Sequence, residues 1–154
     1  MRGANRHVRL AHLFFAFMLV VGSGSASAMS SCKPFPPFVT ASARYPVVVH
    51  GKVTARRSAE AGGYVSTFSV VKRLKGELPI NEFRLHEIVW NYIPATVGSE
   101  WILVLEPTGS GADIRRGMCS PYLPVDAGRV TGLITTEKEQ SMTIQDVYAQ
   151  FNVR

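Results

Sequence analysis

Short apolar runs, most of them bounded by proline, glycine or polar turns, constrain what this chain can fold into. Residues 47–53 (VVVHGKV) and 101–105 (WILVL) are rich in β-branched and aromatic side chains, which favour strands. Residues 64–74 place apolar side chains alternately on two faces, and residues 81–88 continue the pattern. A last β region is expected over residues 114–134. The sequence therefore predicts a mainly β protein.

The end of the chain predicts one helix. Thr143 followed by Asp146 has the form of a capping box, in which a hydroxyl side chain begins the helix. Apolar side chains then recur at spacings of three and four, which places them on one helical face: Ile144, Val147, Tyr148 and Phe151. We expect this face to pack on the strands rather than to bind a partner.

About five strands and a C-terminal helix are typical of a small antiparallel barrel of the oligonucleotide/oligosaccharide-binding (OB) type. A β-sandwich is the alternative architecture. Gly51, inside the first run, predicts a bulge or a sharp bend. The length of 154 residues allows one domain, which we place at residues 47–154.

The first 28 residues have the pattern of a secretory signal. Three arginines precede the apolar run at residues 13–21, and the segment ends in Ala26-Ser27-Ala28. Nine apolar residues are too few for a spanning helix, which needs about 20. We expect cleavage after Ala28, a secreted or periplasmic protein, and no membrane attachment. Lipidation of Cys32 is the alternative, disfavoured because Met29 stands where an aliphatic residue is needed.

Cleavage also changes the charge. Removing three of the 17 basic residues leaves 14 against 11 acidic residues, so the net charge falls from +6 to near +3. This modest surplus does not indicate a nucleic-acid-binding protein. Three basic clusters would suit an OB-type groove for an anion or glycan: Arg56-Arg57, Lys72-Arg73-Lys75 and Arg115-Arg116. The alternative is that they are solvated turn residues.

Two cysteines remain after cleavage, Cys32 and Cys119. In an exported protein such a pair predicts a disulfide bond, and the two cysteines lie 87 positions apart along the chain. A disulfide bond that closes a loop of that length stabilises the fold by roughly 4–5 kcal/mol in the chain-entropy model. Residues 29–46 contain four prolines and are expected to form an extended arm. The bond would tie this arm to the folded body, with Phe35 and Phe38 packed against it.

The order of these features resembles the netrin-like family, which includes the tissue inhibitors of metalloproteinases. The matching pieces lie within about residues 32–125: Cys32 on the arm, VVVHGKV at 47–53, VKRLKG at 71–76, GSEWILV at 98–104, and Cys119. The resemblance implies an OB barrel with an N-terminal arm attached through a cysteine.

Two departures from the family bear on inhibition. The inhibitors chelate the protease zinc through the α-amine and carbonyl of an N-terminal cysteine. Here Met29 is the predicted N-terminus, and Cys32 has only a peptide nitrogen to offer. The arm and residues 90–98 also lack the family's further cysteines. The resemblance therefore supports the fold rather than the inhibitory chemistry.

Candidate catalytic residues are few. His86-Glu87 begins like a zinc-protease motif, but Trp90 stands where the second histidine is required. A metal shared by His50, His86 and a cysteine would need reduced thiols in an oxidising compartment. The acids Glu87, Glu100, Glu106 and Asp113 show no spacing that selects a pair. We expect no enzyme activity, no metal and no cofactor.

The leading hypothesis is a monomeric, non-enzymatic binding module that contacts an envelope or extracellular protein. Its expected contact residues lie on the arm and on an aromatic loop expected at residues 89–98: Phe35, Phe38, Trp90 and Tyr92. A glycan- or anion-binding domain is the second hypothesis, using Arg56, Arg57, Lys72 and Arg73. Direct inhibition of a metalloprotease is the third.

Overall fold

The structure is a computed structural model that describes residues 36–60, 62–87, 93–107, 112–115 and 119–152. All of them belong to one compact unit, Cys32–Arg154. The predicted signal peptide lies outside the described residues, as do Cys32, Phe35, Trp90 and Tyr92. The signal peptide and the disulfide bond to Cys119 therefore stay predictions.

Eight strands and two short helices make up the described residues. In chain order they are α1 (Phe38–Ser42), β1 (Val47–Ser58), β2 (Tyr64–Lys75), β3 (Glu82–Glu87), β4 (Glu100–Leu105), β5 (Asp113–Arg115), β6 (Tyr122–Asp126), β7 (Arg129–Gly132), β8 (Gln140–Thr143) and α2 (Ile144–Ala149). The strands form one sheet in the order β5-β3-β2-β1-β4-β6-β7-β8. Neighbouring strands are antiparallel except β3 and β5, which are parallel. None of the helices in these described ranges is long and apolar enough to span a bilayer.

The prediction of a mainly β fold is confirmed, but the five-stranded closed barrel is wrong. The sheet has eight strands and is not closed as a barrel. The expected last β region divides into β5, β6 and β7, with a turn at Ala127 and Gly128, both at positive φ, between β6 and β7. The strand β8 (QSMT) contains one apolar residue, so a hydrophobic pattern does not detect it.

The predicted extended arm is also wrong in part, since Phe38–Ser42 is helical. The prolines lie outside this helix. Pro37 is its N-cap, a position where the missing N–H costs nothing, and Pro46 follows the helix by four residues. The intervening residues are proline-free, and Phe38 and Ala41 bury one face of the helix.

The two central strands are buried on both faces over residues 47–51 of β1 and residues 101–105 of β4. On one face, Val49 and Leu103 belong to a cluster with Phe68 and Phe83, whose rings stack at 5.3 Å. On the other face, the side chains meet the two helices, and we call this set the helix-side cluster: Phe38, Val48, Leu74, Ile102, Val104, Leu123, Val130, Ile134, Val147 and Tyr148. Each helix thus covers a part of the sheet that water would otherwise reach.

Two local predictions are confirmed. The pairing of β1 with β2 shifts register between His50 and Gly51, the irregularity expected at that glycine. The Thr143 hydroxyl accepts a hydrogen bond from the Asp146 N–H at 3.2 Å, so α2 begins at the predicted cap. Val147 and Tyr148 are buried in the helix-side cluster, and Ile144 packs against it, which confirms the packed face.

Gly76 ends β2 in a conformation that few other residues adopt. Its φ is +68°, and a Cβ atom there would overlap the carbonyl oxygen of Pro46. The neighbouring Lys75 ammonium donates to the Ser42 and Ala43 carbonyls at 3.0 and 2.9 Å, at the C-terminal end of α1. The close approach at Gly76 therefore fixes the path from α1 into β1.

We expect Gly76→Ala to lower the free energy of unfolding by about 2–5 kcal/mol, because backbone strain and steric overlap add. Gly98→Ala is the matched control, with φ +91° and open space around the new methyl group. It should cost only about 1–2 kcal/mol. Urea denaturation of both variants measures the difference, and equal losses would contradict the overlap at Pro46.

Candidate functional site

His50 lies where β1, β4 and α2 meet, and its side chain joins all three. It is 3% exposed. Its Nε2 atom lies 3.1 Å from Oε2 of Glu100 on β4, and its Nδ1 atom lies 2.7 Å from the hydroxyl of Tyr148 on α2. This is the most enclosed group of hydrogen-bonding ionisable side chains that the described residues bring together, and we call it the histidine triad.

The hydrogen-bond directions in the triad follow from the chemistry of its ends. A carboxylate only accepts, so the His50 Nε2–H donates to Glu100 and the Tyr148 hydroxyl donates to Nδ1. Burial lowers the pKa of His50 below 6.5, although the Glu100 charge and hydrogen bond oppose this. Burial, and then Glu100, raises the pKa of Tyr148. A neutral imidazole and a protonated phenol are the forms that satisfy both bonds.

A carboxylate, an imidazole and a hydroxyl in series also form the relay of hydrolytic enzymes. In those sites the hydroxyl reaches the substrate and its proton is easily removed. Here Tyr148 is only 9% exposed, and its phenol is harder to ionise than a free one. The triad links α2 to the sheet through these two hydrogen bonds.

The second histidine, His86, belongs to a separate group on β3, next to the edge strand β5. Its Nε2 atom lies 2.8 Å from Oδ1 of Asp113, and the Arg84 guanidinium lies 2.5 Å from Oδ2. These contacts join the parallel strands β3 and β5. His50 and His86 lie on strands separated by β2 and bind different carboxylates. Within the described part of the chain, no group of three ligating side chains could hold a metal ion.

A buried carboxylate on β3 was not predicted from the sequence. Glu87 is 3% exposed, accepts a hydrogen bond from the Ser66 hydroxyl at 2.9 Å, and accepts another from the Ile93 N–H. Arg56 donates to the Ile93 carbonyl at 2.9 Å and to the Ala95 carbonyl. These bonds fix the chain at Glu87 and at Ile93–Ala95, on either side of residues 88–92.

The basic residues proposed for anion binding are not brought together. Arg56 stacks over the Tyr64 ring at 4.1 Å besides holding the carbonyls just described. Arg73 donates to the carbonyls of Leu78 and Ile80 at 2.9 and 3.1 Å. Lys72 pairs with His50 across the β1–β2 ladder, six residues along β1 from Arg56, which corresponds to about 20 Å. Arg57 is exposed.

The predicted contact residue Phe38 is in the core. It is 2% exposed and packs edge to face against Phe151 at 6.4 Å. A groove of about 340 Å³ lies beside Phe38, between the start of α1 and strands β6 and β7. We call it the proline groove, after the prolines among its lining residues: Pro36, Phe38, Ser120, Pro121, Tyr122, Leu123, Pro124, Thr131, Gly132 and Leu133.

The proline groove is supported from beneath by aromatic packing. The Tyr122 ring meets Trp101 edge to face at 5.6 Å, and the Trp101 indole N–H donates to the Ser99 hydroxyl at 2.8 Å. At Gly132 a Cβ atom would come within 2.7 Å of Leu123. A side chain at that position would therefore press on the leucine that forms part of the groove.

The chain matches no protein-family model, and a search of curated protein sequences finds no match either. Neither comparison therefore bears on the resemblance to the netrin-like family.

The Asp113 group gives a pH prediction. The hydrogen bond from His86, followed by the hydrogen bond and the charge of Arg84, lowers the pKa of Asp113 below its ordinary value of 3.8. A carboxyl with a lowered pKa stabilises the fold above that ordinary value, and this stabilisation is lost as the pH falls through the lowered pKa. Carbon-detected NMR titration should show the low midpoint. The variant His86→Gln should raise it, whereas an unchanged midpoint would contradict the contact.

Proposed function

We propose that this protein is an exported, non-enzymatic binding module of the netrin-like type, which contacts an envelope or extracellular protein. The single observation that carries the proposal is the proline groove, an open apolar concavity of about 340 Å³ on the face of β6 and β7. The proposed occupant is an extended, uncharged segment of the partner protein, with apolar side chains in the groove.

The chemistry of the lining supports that occupant over an anion or a glycan. None of the lining residues that the structure describes carries a charge, and the polar groups are hydroxyls, at Ser120, Tyr122 and Thr131. A charged ligand would lose water there without gaining an ion pair, which is unfavourable. An apolar side chain would gain about 25 cal/mol for each Å² of surface it buries.

The rigidity of the lining supports a binding role as well. Pro36, Pro121 and Pro124 have fixed φ angles, and β6 and β7 pair with their neighbours in the sheet. A surface that is ordered before binding loses little entropy when a partner arrives. The predicted disulfide bond would place the rest of the arm beside this groove, because Cys119 directly precedes Ser120.

The absence of enzyme activity is part of the proposal. The histidine triad is the arrangement closest to a catalytic one in the described residues, and its phenol faces Nδ1 of His50 inside the protein. A substrate atom would have to displace α2 to reach it. A binding role that involves no reaction at the triad requires no displacement of α2.

Site-specific photocrosslinking tests the proposal. A benzoylphenylalanine in place of Thr131, an exposed lining residue, should give one discrete crosslinked product in cells that export the protein. The same group in place of Thr136, which is exposed but outside the groove, is the matched control and should give none. Identical products from both positions would contradict a partner at the groove.

Competition with purified protein sharpens this test. Excess unlabelled wild-type protein should abolish the crosslink, whereas Leu133→Asp, which adds a charge to the lining, should compete at least tenfold less well. Such a loss corresponds to about 1.4 kcal/mol. If heparin abolished the crosslink and Arg57→Glu removed that sensitivity, the anion-binding hypothesis would replace this one.

A further inference from the structure

We propose that the histidine triad is a pH-sensitive latch that loosens the docking of the C-terminal helix α2 on the sheet in mild acid. The proposal stands on the position of His50, whose imidazole is the polar link between β1, β4 and α2. It is independent of the partner proposed above.

The helix depends on its contacts with the sheet. It has six residues, and an isolated helix of that length is not stable in water. Val147 and Tyr148 bury its inner face, and the Tyr148 hydroxyl bonds to His50 at 2.7 Å. If these contacts open, the helical hydrogen bonds open with them, so protection of the α2 backbone reports docking.

A proton on His50 disturbs the docked arrangement. In the neutral triad Nδ1 accepts from the Tyr148 hydroxyl, but a protonated Nδ1 is a donor and faces another donor. The phenol must then turn and give up its acceptor inside the protein. When α2 undocks, the imidazole reaches water and binds a proton at no such cost.

The charges around His50 are consistent with a docked state that disfavours the proton. Glu100 on β4 favours the proton, but its other oxygen lies 3.4 Å from the Lys52 ammonium on β1, which offsets part of its charge. Lys72 on β2 lies 5.9 Å from the Tyr148 ring and adds a second positive charge on this side. Two further titratable groups lie on the segments around His50: Asp146 of α2, bonded to Thr143, and Tyr45, which packs against the helix-side cluster.

The sign of the pH effect follows. Because the pKa of His50 is lowered in the docked state, docking is strongest above the ordinary value of about 6.5 and weakens as the pH falls below it. If the docked form excludes the proton, lowering the pH from 7.5 to 5.5 multiplies the undocked fraction by about tenfold.

Hydrogen exchange of the complete mature protein tests the latch. After correction for intrinsic rates, protection of Gln150 and Phe151, whose amides close the end of α2, should fall between pH 7.5 and 5.5, by up to about tenfold. Ile102 and Leu103 in β4 should keep their protection. The fall should persist in His86→Gln, the matched control on β3, and disappear in His50→Gln.

Three results would overturn the proposal: constant protection of α2 across this pH range, an equal fall in β4, or a fall of the same size in His50→Gln. If His50→Gln does not fold, an NMR titration of the wild-type imidazole decides. His50 should titrate below the ordinary pKa, and Tyr148→Phe, which removes the hydroxyl donor, should raise the midpoint. An ordinary midpoint in the wild type would also overturn the latch.

Discussion

Burial of both faces of β4 and of the first part of β1, residues 47–51, is the constraint on which the rest of the structure depends. A strand with apolar side chains on each face needs a separate cover on each side of the sheet. One face is covered by side chains of the sheet itself and its connections, including Phe68, Phe83 and Ile93. The other face is covered by Phe38 of α1 and by Val147 and Tyr148 of α2. Both helices are therefore part of the core even though each has no more than six residues.

This arrangement explains where the polar groups lie. His50 projects from a strand that is otherwise apolar at this level, so each of its nitrogens requires a partner. Glu100 and Tyr148 supply those partners from two different elements. These hydrogen bonds compensate for the burial of the imidazole, and the bond from Tyr148 attaches α2 to the sheet at one specific point. The proline groove lies farther along the sheet, on β6 and β7, and shares only Phe38 and Leu123 with the helix-side cluster.

Much of the strand pattern could be predicted because burial produces a periodicity that sequence alone displays. The predicted strands at 47–53, 64–74, 81–88 and 101–105 correspond to β1 to β4, and the Thr143 cap begins α2. The strand β8 could not be predicted this way, since backbone pairing with β7 creates it and its side chains are largely polar. The helix α1 was not predicted because the prolines on either side of it favour an extended chain.

The site was harder to predict than the fold. Nothing in the local sequence of His50 indicates a contact with Glu100, 50 positions away, or with Tyr148, 98 positions away. Tyr148 did have one signal, a hydroxyl at an otherwise apolar helical position, which implies a buried partner. The sequence predicts Arg56 and Arg73 as ligand-binding residues. A basic pair has the same local sequence whether its side chains face solvent or donate to backbone carbonyls, as these two do. Long-range contacts separate the two cases, and they are not local properties of the chain.

Native-state hydrogen exchange in β1 and β4 tests the central claim most directly. If burial of both faces holds the protein together, the amides of Val48, Val49, Ile102 and Leu103 should exchange only by global unfolding. Their opening free energy and its urea dependence should equal those of the whole protein. Exchange of these amides through a smaller opening, while another part of the sheet stays protected, would contradict the account.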